Sequence, residues 1–327
     1  MILVTGVSGG LGGLILSGLA GLDGLDAVGG TRGGDGRGAR RVDFDDPASL
    51  PEAFAGVDVL LVVSAGYAED DVVYARHGAV ADAAAAAGVR HVVYTSLASS
   101  GESMTIALPH RWTEDRLSGG PFTTTVLRNG LYTEVPVGLA VAGAAEAAAS
   151  GVFAAPFGKG RVSVVVKQDL ADAAVRVAAE SQLDLAAGRP SRHAGRVYEL
   201  EGATAIGGAD IAAVLAGSLG RPVAYRAASL AEARAGLDGS GLEPYQVTHA
   251  LSLFSNVIAG RAEARSSDLA DLLGVPPRPV LDAVAAALRA GGYQGQSVSA
   301  TRDRGEGPAQ GQAQAPDQAP DQVPYSR

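Results

Sequence analysis

A glycine-rich segment between a predicted strand and a predicted helix constrains this chain more than any other feature. Residues 2–4 read Ile-Leu-Val, residues 5–12 read Thr-Gly-Val-Ser-Gly-Gly-Leu-Gly, and an apolar helix is predicted over 11–22. Glycines in this context permit a tight turn, a close approach of the backbone to an anion, and close packing of helix on strand. A chance match in a chain with 45 glycines is the alternative. The position directly after a strand favours dinucleotide binding by Gly6, Val7, Ser8, Gly9, Gly10, Leu11 and Gly12.

Short β runs alternate with helical stretches over the first 130 residues, as in βαβ units of a parallel sheet. Strands are predicted at 2–4, 27–31, 41–44, 57–63, 91–95 and 123–127, and a later helix is predicted from Val137. The fold class that follows is α/β, a Rossmann-type doubly wound parallel sheet with a smaller C-terminal α/β lobe.

Composition excludes several classes of protein. There is no cysteine, so disulfide frameworks and cysteine-ligated metals are impossible. The five histidines show no short ligand spacing, so no metal site is expected. A net charge of −9 argues against nucleic-acid binding, and no apolar run predicts a membrane span. We therefore expect a soluble cytoplasmic protein with a small-molecule substrate; a homodimer is a possible assembly.

The ends of the predicted strands indicate the cofactor. No acid directly follows the second strand, where NAD enzymes place one against the ribose, and Arg32 stands there to pair with a 2′-phosphate. NADPH is therefore favoured over NADH, with Asp35 as the competing carboxylate. Asp43 and Phe44 are candidates for adenine contact, or else a strand end and helix cap. The remaining strand-end candidates line the same cleft or cap turns: Ser64, Ala65, Gly66, Thr95 and Ser96.

The two lysines, Lys159 and Lys167, bear on the proton donor. Many carbonyl-reducing short-chain dehydrogenases use Tyr-x-x-x-Lys, but here Ala155 and Ser163 stand four residues before the lysines. That linear motif is absent. Acceptors that need little acid catalysis, such as quinones, are therefore favoured, because hydride transfer to a quinone gives a delocalised, weakly basic anion.

Several segments in order resemble the NmrA-like atypical short-chain dehydrogenases, and in particular the branch of NADPH-dependent quinone oxidoreductases and triphenylmethane reductases. They are TGVSGGLG (5–12), VRHVVYTSLAS (89–99), HRWTEDRL (110–117), VLRNGLYTE (126–134) and DLADAA (169–174), and the likeness covers about residues 1–290. The resemblance implies a Rossmann domain that holds NADPH with a small lobe closing the substrate cleft. It also implies that the loop from Asn129 to Tyr132 lies near the nicotinamide. The chain departs from the family pattern at Pro136, where the family often has an Asn, and this leaves the substrate open; Asp115 stands where the family often has a basic residue.

These observations predict residues 1–132 as the NADP-binding Rossmann domain and 133–290 as the substrate lobe, with segments returning to the first domain. The tail over 291–327 is rich in Gln, Pro, Asp, Ala and Gly and is predicted to be disordered. Tyr132 is the candidate for contacting the acceptor, or else an aromatic of the interlobe core, and His77 and Trp112 are further substrate candidates. His77 is alternatively a core or surface histidine.

The function predicted is NADPH-dependent hydride transfer to a quinone or similar conjugated acceptor. The alternatives are a non-catalytic NADP(H)-binding redox sensor and a tailoring ketoreductase of a bacterial biosynthetic pathway.

Overall fold

The computed structural model describes residues 1–34, 38–64 and 68–292. Asp35, Ala65, Gly66 and the tail from residue 293 lie outside the described residues. The strands are β1 Ile2–Thr5, β2 Ala27–Thr31, β3 Arg40–Arg41, β4 Val59–Val62, β5 His91–Leu97, β6 Thr123–Asn129, β7 Leu131–Tyr132, β8 Val152–Ala155, β9 Arg161–Val165, β10 Arg196–Leu200, β11 Ala205–Gly207 and β12 Ala224–Ala227. The helices are α1 Gly10–Ala20, α2 Leu50–Phe54, α3 Asp70–Ala86, α4 Ala107–Ser118, α5 Glu134–Ser150, α6 Lys167–Ala186, α7 Gly208–Leu219, α8 Leu230–Asp238, α9 Pro244–Ile258, α10 Leu269–Leu273 and α11 Val280–Ala290.

A parallel sheet organises the described residues, with seven strands in the order β10-β6-β5-β4-β1-β2-β3. Its central strands β1, β4 and β5 are buried on both faces because helices cover both: Val59 and Leu61 of β4 pack with α1 and α6, whereas Leu60 and Val62 pack with α2 and α3. The sequence prediction of a doubly wound α/β fold is confirmed.

Two segments from the second half of the chain join this sheet. Strand β10 pairs in parallel with β6 along the sheet edge, from Arg196 beside Thr125 to Leu200 beside Asn129. Helix α6 packs beside α1, where Val175 would contact any side chain placed at Gly18. Helix α1 follows β1 of the main sheet and α6 follows β9 of a smaller sheet, and their first residues, Gly10 and Lys167, lie together.

The remaining elements form a smaller body at that edge. Strands β11, β9 and β7 form one small sheet, and β12 and β8 form another. Their apolar core includes Ala140 and Ala144 of α5, Leu215 of α7 and Leu288 of α11. Because β7 directly follows β6, this core is anchored to the carboxyl edge of the main sheet.

The structure corrects two predicted elements. The third strand is only Arg40–Arg41, not 41–44, because Asp43 instead makes turn hydrogen bonds with Ser49. Helix α5 begins at Glu134, not Val137, because Pro136 lies in the first turn, where a missing N–H costs nothing. Strands β7, β8 and β11 were not predicted from the sequence. No helix within the described ranges is long and apolar enough to cross a membrane.

Candidate functional site

The glycine loop leaves β1 at the carboxyl edge of the sheet and starts α1. Gly6 has a φ of 65°, a left-handed conformation that suits glycine, and its carbonyl accepts from the Gly9 N–H at 3.0 Å. Thr5 Oγ1 accepts from Val63 N at 3.0 Å, which ties the loop to the end of β4. Gly9 caps α1 with an extended backbone and no side-chain hydrogen bond. The first N–H groups of α1 are thus left for a ligand, and the helix dipole there favours an anion.

Burial divides the predicted loop residues into two kinds. Gly6 and residues 8–10 are exposed, so their backbone is accessible to a ligand. Leu11 and Gly12 are buried, and Val7 packs partly against the core beneath α1. The buried residues therefore shape the loop through packing.

Arg32, the residue predicted to bind the 2′-phosphate, directly follows β2. Arg32 is exposed, and Thr31 before it has a buried Oγ1 that finds no hydrogen-bond partner among the described residues. A hydrogen bond from Arg76, opposed by partial burial, holds the pKa of Asp45 below its usual value, and the charge of Arg32 adds to this. Arg32 is therefore close enough to Asp45 for the two charges to interact.

Asp43 and Phe44 take part in local structure after β3. Asp43 N donates to Ser49 Oγ at 3.2 Å, and Asp43 Oδ1 accepts from Asp45 N at 3.1 Å. The Phe44 ring meets the His77 ring edge-on with centroids 6.3 Å apart. Asp43 thus has the hydrogen bonds of a turn residue, and Phe44 has a ring contact at the edge of the core. Both residues lie next to the strand end where Arg32 lies.

The hydroxyl groups of Thr95 and Ser96, near the end of β5, form hydrogen bonds within the protein. Thr95 Oγ1 accepts from Ser64 N at 3.0 Å, which links the two strand ends. Ser96 Oγ donates to Glu114 Oε1 at 2.5 Å. Thr95 and Ser96 are buried, so they support the floor of the cleft.

An ionic network that sequence analysis did not anticipate lies beneath Ser96. Arg128 donates to both carboxylate oxygens of Glu114, at 3.1 and 2.7 Å, and also to Glu199 at 3.0 Å. Arg111 Nη1 donates to the same Glu114 at 2.7 Å. Burial raises the pKa of Glu114, but hydrogen bonds from Arg128 and Ser96 outweigh it, and that pKa is lowered overall. The network fixes the relative positions of α4, β5, β6 and β10.

The end of β6 presents an amide and an aromatic ring. Asn129 is buried, and its Oδ1 finds no hydrogen-bond partner in the part of the chain that the structure describes. Tyr132 in β7 is half-buried, and burial raises its pKa, opposed by a hydrogen bond from Asn129. The Tyr132 hydroxyl therefore stays neutral at physiological pH, beside an acceptor atom that still needs a donor.

Lys167 is a functional candidate that sequence analysis missed. Its ammonium lies 5.1 Å from the centre of the Tyr132 ring and forms an ion pair with Glu134. A Cβ atom built on Gly10 would lie 3.3 Å from Lys167 Nζ. The available signal was its place two residues before the DLADAA segment, just ahead of a predicted helix. The linear Tyr-x-x-x-Lys motif is absent, but the fold brings a lysine to a tyrosine.

The two remaining substrate candidates lie on helices α3 and α4. His77 is buried, its Nδ1 lies 2.8 Å from Thr113 Oγ1, and burial lowers its pKa to about 3. Trp112 is partly exposed and packs on Tyr74 with ring centroids 4.9 Å apart. His77, His110 and His249 border a cavity of only about 10 Å³, too small for an organic substrate.

The structure thus brings most candidates to one edge of the sheet, because parallel strands all end there: the glycine loop, Arg32, Ser64, Thr95, Asn129 and Tyr132. His77 and Trp112 lie on the helices beside this edge. Among the described residues, no group of three or more histidines and acids is placed to hold a metal ion.

Comparison with known proteins identifies relatives of this arrangement. The pattern of the NmrA-like family matches residues 40–113. Quinone oxidoreductase 2 of Escherichia coli (strain K12) is 35% identical over 204 residues, which cover 62% of this chain and 66% of that protein. The chain therefore spans just under two thirds of that relative's length.

Solved structures extend the likeness over nearly the whole described fold. The E. coli NADPH-dependent quinone oxidoreductase complexed with NADPH has a TM-score of 0.75 and 30% identity, covering 88% of this chain and 99% of that one. The Citrobacter sp. triphenylmethane reductase complexed with NADP(H) has a TM-score of 0.76 and 28% identity over the same shares. These matches and the shared sequence segments lead to one conclusion: the chain belongs to the NmrA-like family.

Proposed function

We propose that this chain is an NADPH-dependent oxidoreductase that transfers hydride to a quinone or a similar delocalised aromatic acceptor. One observation carries the proposal: the glycine loop opens on the uncapped N-terminus of α1, at the sheet edge where Arg32, Asn129 and Tyr132 also lie. The relatives whose names specify NADPH-dependent quinone reduction and triphenylmethane reduction support the same chemistry.

The residues present fit a phosphorylated dinucleotide. Exposed glycine backbone at Gly9 and Gly10 and the positive end of α1 suit a pyrophosphate. Arg32 supplies a guanidinium for a 2′-phosphate. Thr31 Oγ1 and Asn129 Oδ1 are buried and have no hydrogen-bond partner within the described ranges, and a polar ligand would satisfy both. We assign the cofactor-binding role to these residues on this basis.

When bound, NADPH would supply the hydride. The chain's own part is to orient cofactor and acceptor and to exclude water, which converts an encounter into a positioned reaction. Tyr132 offers a neutral ring at the edge of the cleft, since burial raises the pKa of its hydroxyl. A quinone needs no strong acid for reduction, because the anion formed is delocalised. The lack of the Tyr-x-x-x-Lys motif is compatible with this acceptor class.

We propose that residues 1–132 with α6 and β10 hold the cofactor, and that the rest of 133–290 forms the substrate lobe. The separate apolar core of α5, α7 and α11 supports this division. Location in the cytoplasm and assembly as a homodimer remain predictions from the sequence.

An acceptor panel tests the proposed function directly. The protein is mixed with NADPH and, in separate reactions, menadione, benzoquinone, a triphenylmethane dye and cyclohexanone as a simple-ketone control. We expect NADPH absorbance to fall with at least one conjugated acceptor and not with cyclohexanone. Measurement of NADPH and NADP⁺ affinities by calorimetry accompanies the panel.

Two outcomes would contradict the proposal. Turnover of cyclohexanone alone would indicate a ketoreductase with an efficient proton donor. No turnover of any acceptor, with equal binding of NADPH and NADP⁺, would favour a redox sensor.

A further inference from the structure

Lys167 occupies an electrostatically unusual position. It is the first residue of α6, where the helix dipole disfavours a cation, and its side chain is only 25% exposed. Gly10 and Glu134, the first residues of α1 and α5, lie beside it. Three helix N-termini, each carrying partial positive charge, therefore converge on an ammonium group.

Glu134 is the neutralising partner in this structure. Its carboxylate pairs with Lys167 and its side chain is 44% exposed, so it can turn toward solvent at little cost. Without an anion, a lysine among three positive helix ends is poorly placed, and one exposed carboxylate offsets only part of that charge. The surroundings are thus suited to an anion that carries more charge than Glu134.

The position of the Lys167 ammonium determines which part of the cofactor it can contact. Gly10 opens α1, the helix that in this fold receives the pyrophosphate, whereas the 2′-phosphate is recognised beyond β2 at Arg32. The Tyr132 ring lies on the lysine as well, so the ammonium stands between the glycine loop and the end of β6. No other lysine is available, since Lys159 is exposed in the turn between β8 and β9.

We propose that Lys167 is a pyrophosphate-binding residue and that Glu134 is the counter-ion that it gives up when the cofactor binds. This inference rests on the proposed function and assigns roles to two residues that were not among the site candidates predicted from the sequence. Binding then exchanges one ion pair for another, so Glu134 opposes cofactor binding while Lys167 promotes it.

The test compares ligands that differ in the pyrophosphate, with calorimetric affinities as the readout. NADPH contains the pyrophosphate, whereas adenosine 2′-monophosphate keeps the adenosine and the 2′-phosphate and has no phosphate on its 5′ oxygen. Lys167→Met should weaken the binding of NADPH about ten-fold and that of adenosine 2′-monophosphate less than about two-fold, as expected for one partly exposed charge-assisted contact. Glu134→Gln should raise the affinity for NADPH by about two- to three-fold, because the substitution removes a negative charge that competes for Lys167.

Matched variants control for charge and folding. Lys159→Met, the same change at the exposed lysine, should leave both affinities unchanged, and Lys167→Arg should restore most of the NADPH affinity. Equal weakening of both ligands by Lys167→Met, or no weakening of either, would overturn the inference. Weaker NADPH binding by the Glu134→Gln variant would also overturn the inference. This second test applies even if Lys167→Met does not fold. Failure of the unaltered protein to bind NADPH would instead overturn the proposed function.

Discussion

The backbone of Gly6 lies directly against the α-carbon of Gly12. A Cβ atom built on Gly12 would lie 2.7 Å from the carbonyl carbon of Gly6 and closer still to its oxygen. Real Cβ atoms do not approach backbone this closely, and backbone at both ends of the contact cannot turn aside as a side chain can. The first turn of α1 is therefore packed on its own loop, and any larger residue at Gly12 must displace that loop.

Gly12→Ala should lower the free energy of unfolding by about 1–3 kcal/mol or more, the usual cost of overpacking, and should weaken NADPH. Gly138→Ala, at an exposed position of α5, is the matched control, since nothing lies within 4 Å of the new methyl group. That control should gain about 0.5–1 kcal/mol from helix propensity. Urea denaturation checks both values, and equal effects at the two sites would contradict the packing argument.

Arg32→Glu should change cofactor preference. The substitution removes the guanidinium and adds a negative charge near that of Asp45. The affinity for NADPH should therefore fall by about 100-fold more than the affinity for NADH. Arg234→Glu, the same charge change on exposed α8, should affect neither cofactor. Calorimetric affinities for both cofactors check this, and equal losses would show that Arg32 does not read the 2′-phosphate.

Two buried histidines should make the fold sensitive to acid. Burial lowers the pKa of His77 to about 3 and that of His91 to about 4, while both groups protonate near pH 6.5 in the unfolded chain. The unfolded state therefore binds more protons below pH 6.5, and stability falls by about 1.4 kcal/mol per pH unit for each histidine as the pH drops from about 6 to 4.5.

The variant His91→Gln isolates one of these contributions. Glutamine is neutral and can hydrogen bond to Thr123 and Thr125, which His91 contacts at 2.7 and 3.0 Å. The slope of unfolding free energy against pH should flatten by about 1.4 kcal/mol per unit between about pH 6 and 4.5, and stay unchanged above pH 7. An unaltered slope in the acid range would show that His91 is not a source of acid sensitivity.

Substitutions at Tyr132 separate its ring from its hydroxyl. Tyr132→Phe should keep quinone reduction within about three-fold, because general acid catalysis, worth about 100-fold or more where it operates, is not needed here. Tyr132→Ala removes the ring and should lower kcat/KM by about ten-fold, as loss of positioning predicts. Steady-state kinetics with menadione check both, and a loss of about 100-fold for Tyr132→Phe would identify the hydroxyl as the proton donor.

Features that depend on neighbouring residues were predictable from the sequence. The glycine loop was predicted because neighbouring residues specify a strand, a tight turn and the start of a helix. The parallel sheet followed from apolar runs spaced by helices. The short β3 and the early start of α5 differed from prediction, because element ends depend on turn hydrogen bonds and on the tolerance of Pro136 in a first helical turn.

The sequence by itself determined the fold class and the loop that opens α1, since periodicity and glycine spacing depend on residues close in the chain. Only the tertiary structure showed that Lys167 meets Gly10, Tyr132 and Glu134, and that Glu114 joins Ser96 to Arg128. Such contacts follow from how α6 packs beside α1 and how α4 covers β5. No spacing in the sequence encodes them, because they arise only when distant segments are buried against the same sheet.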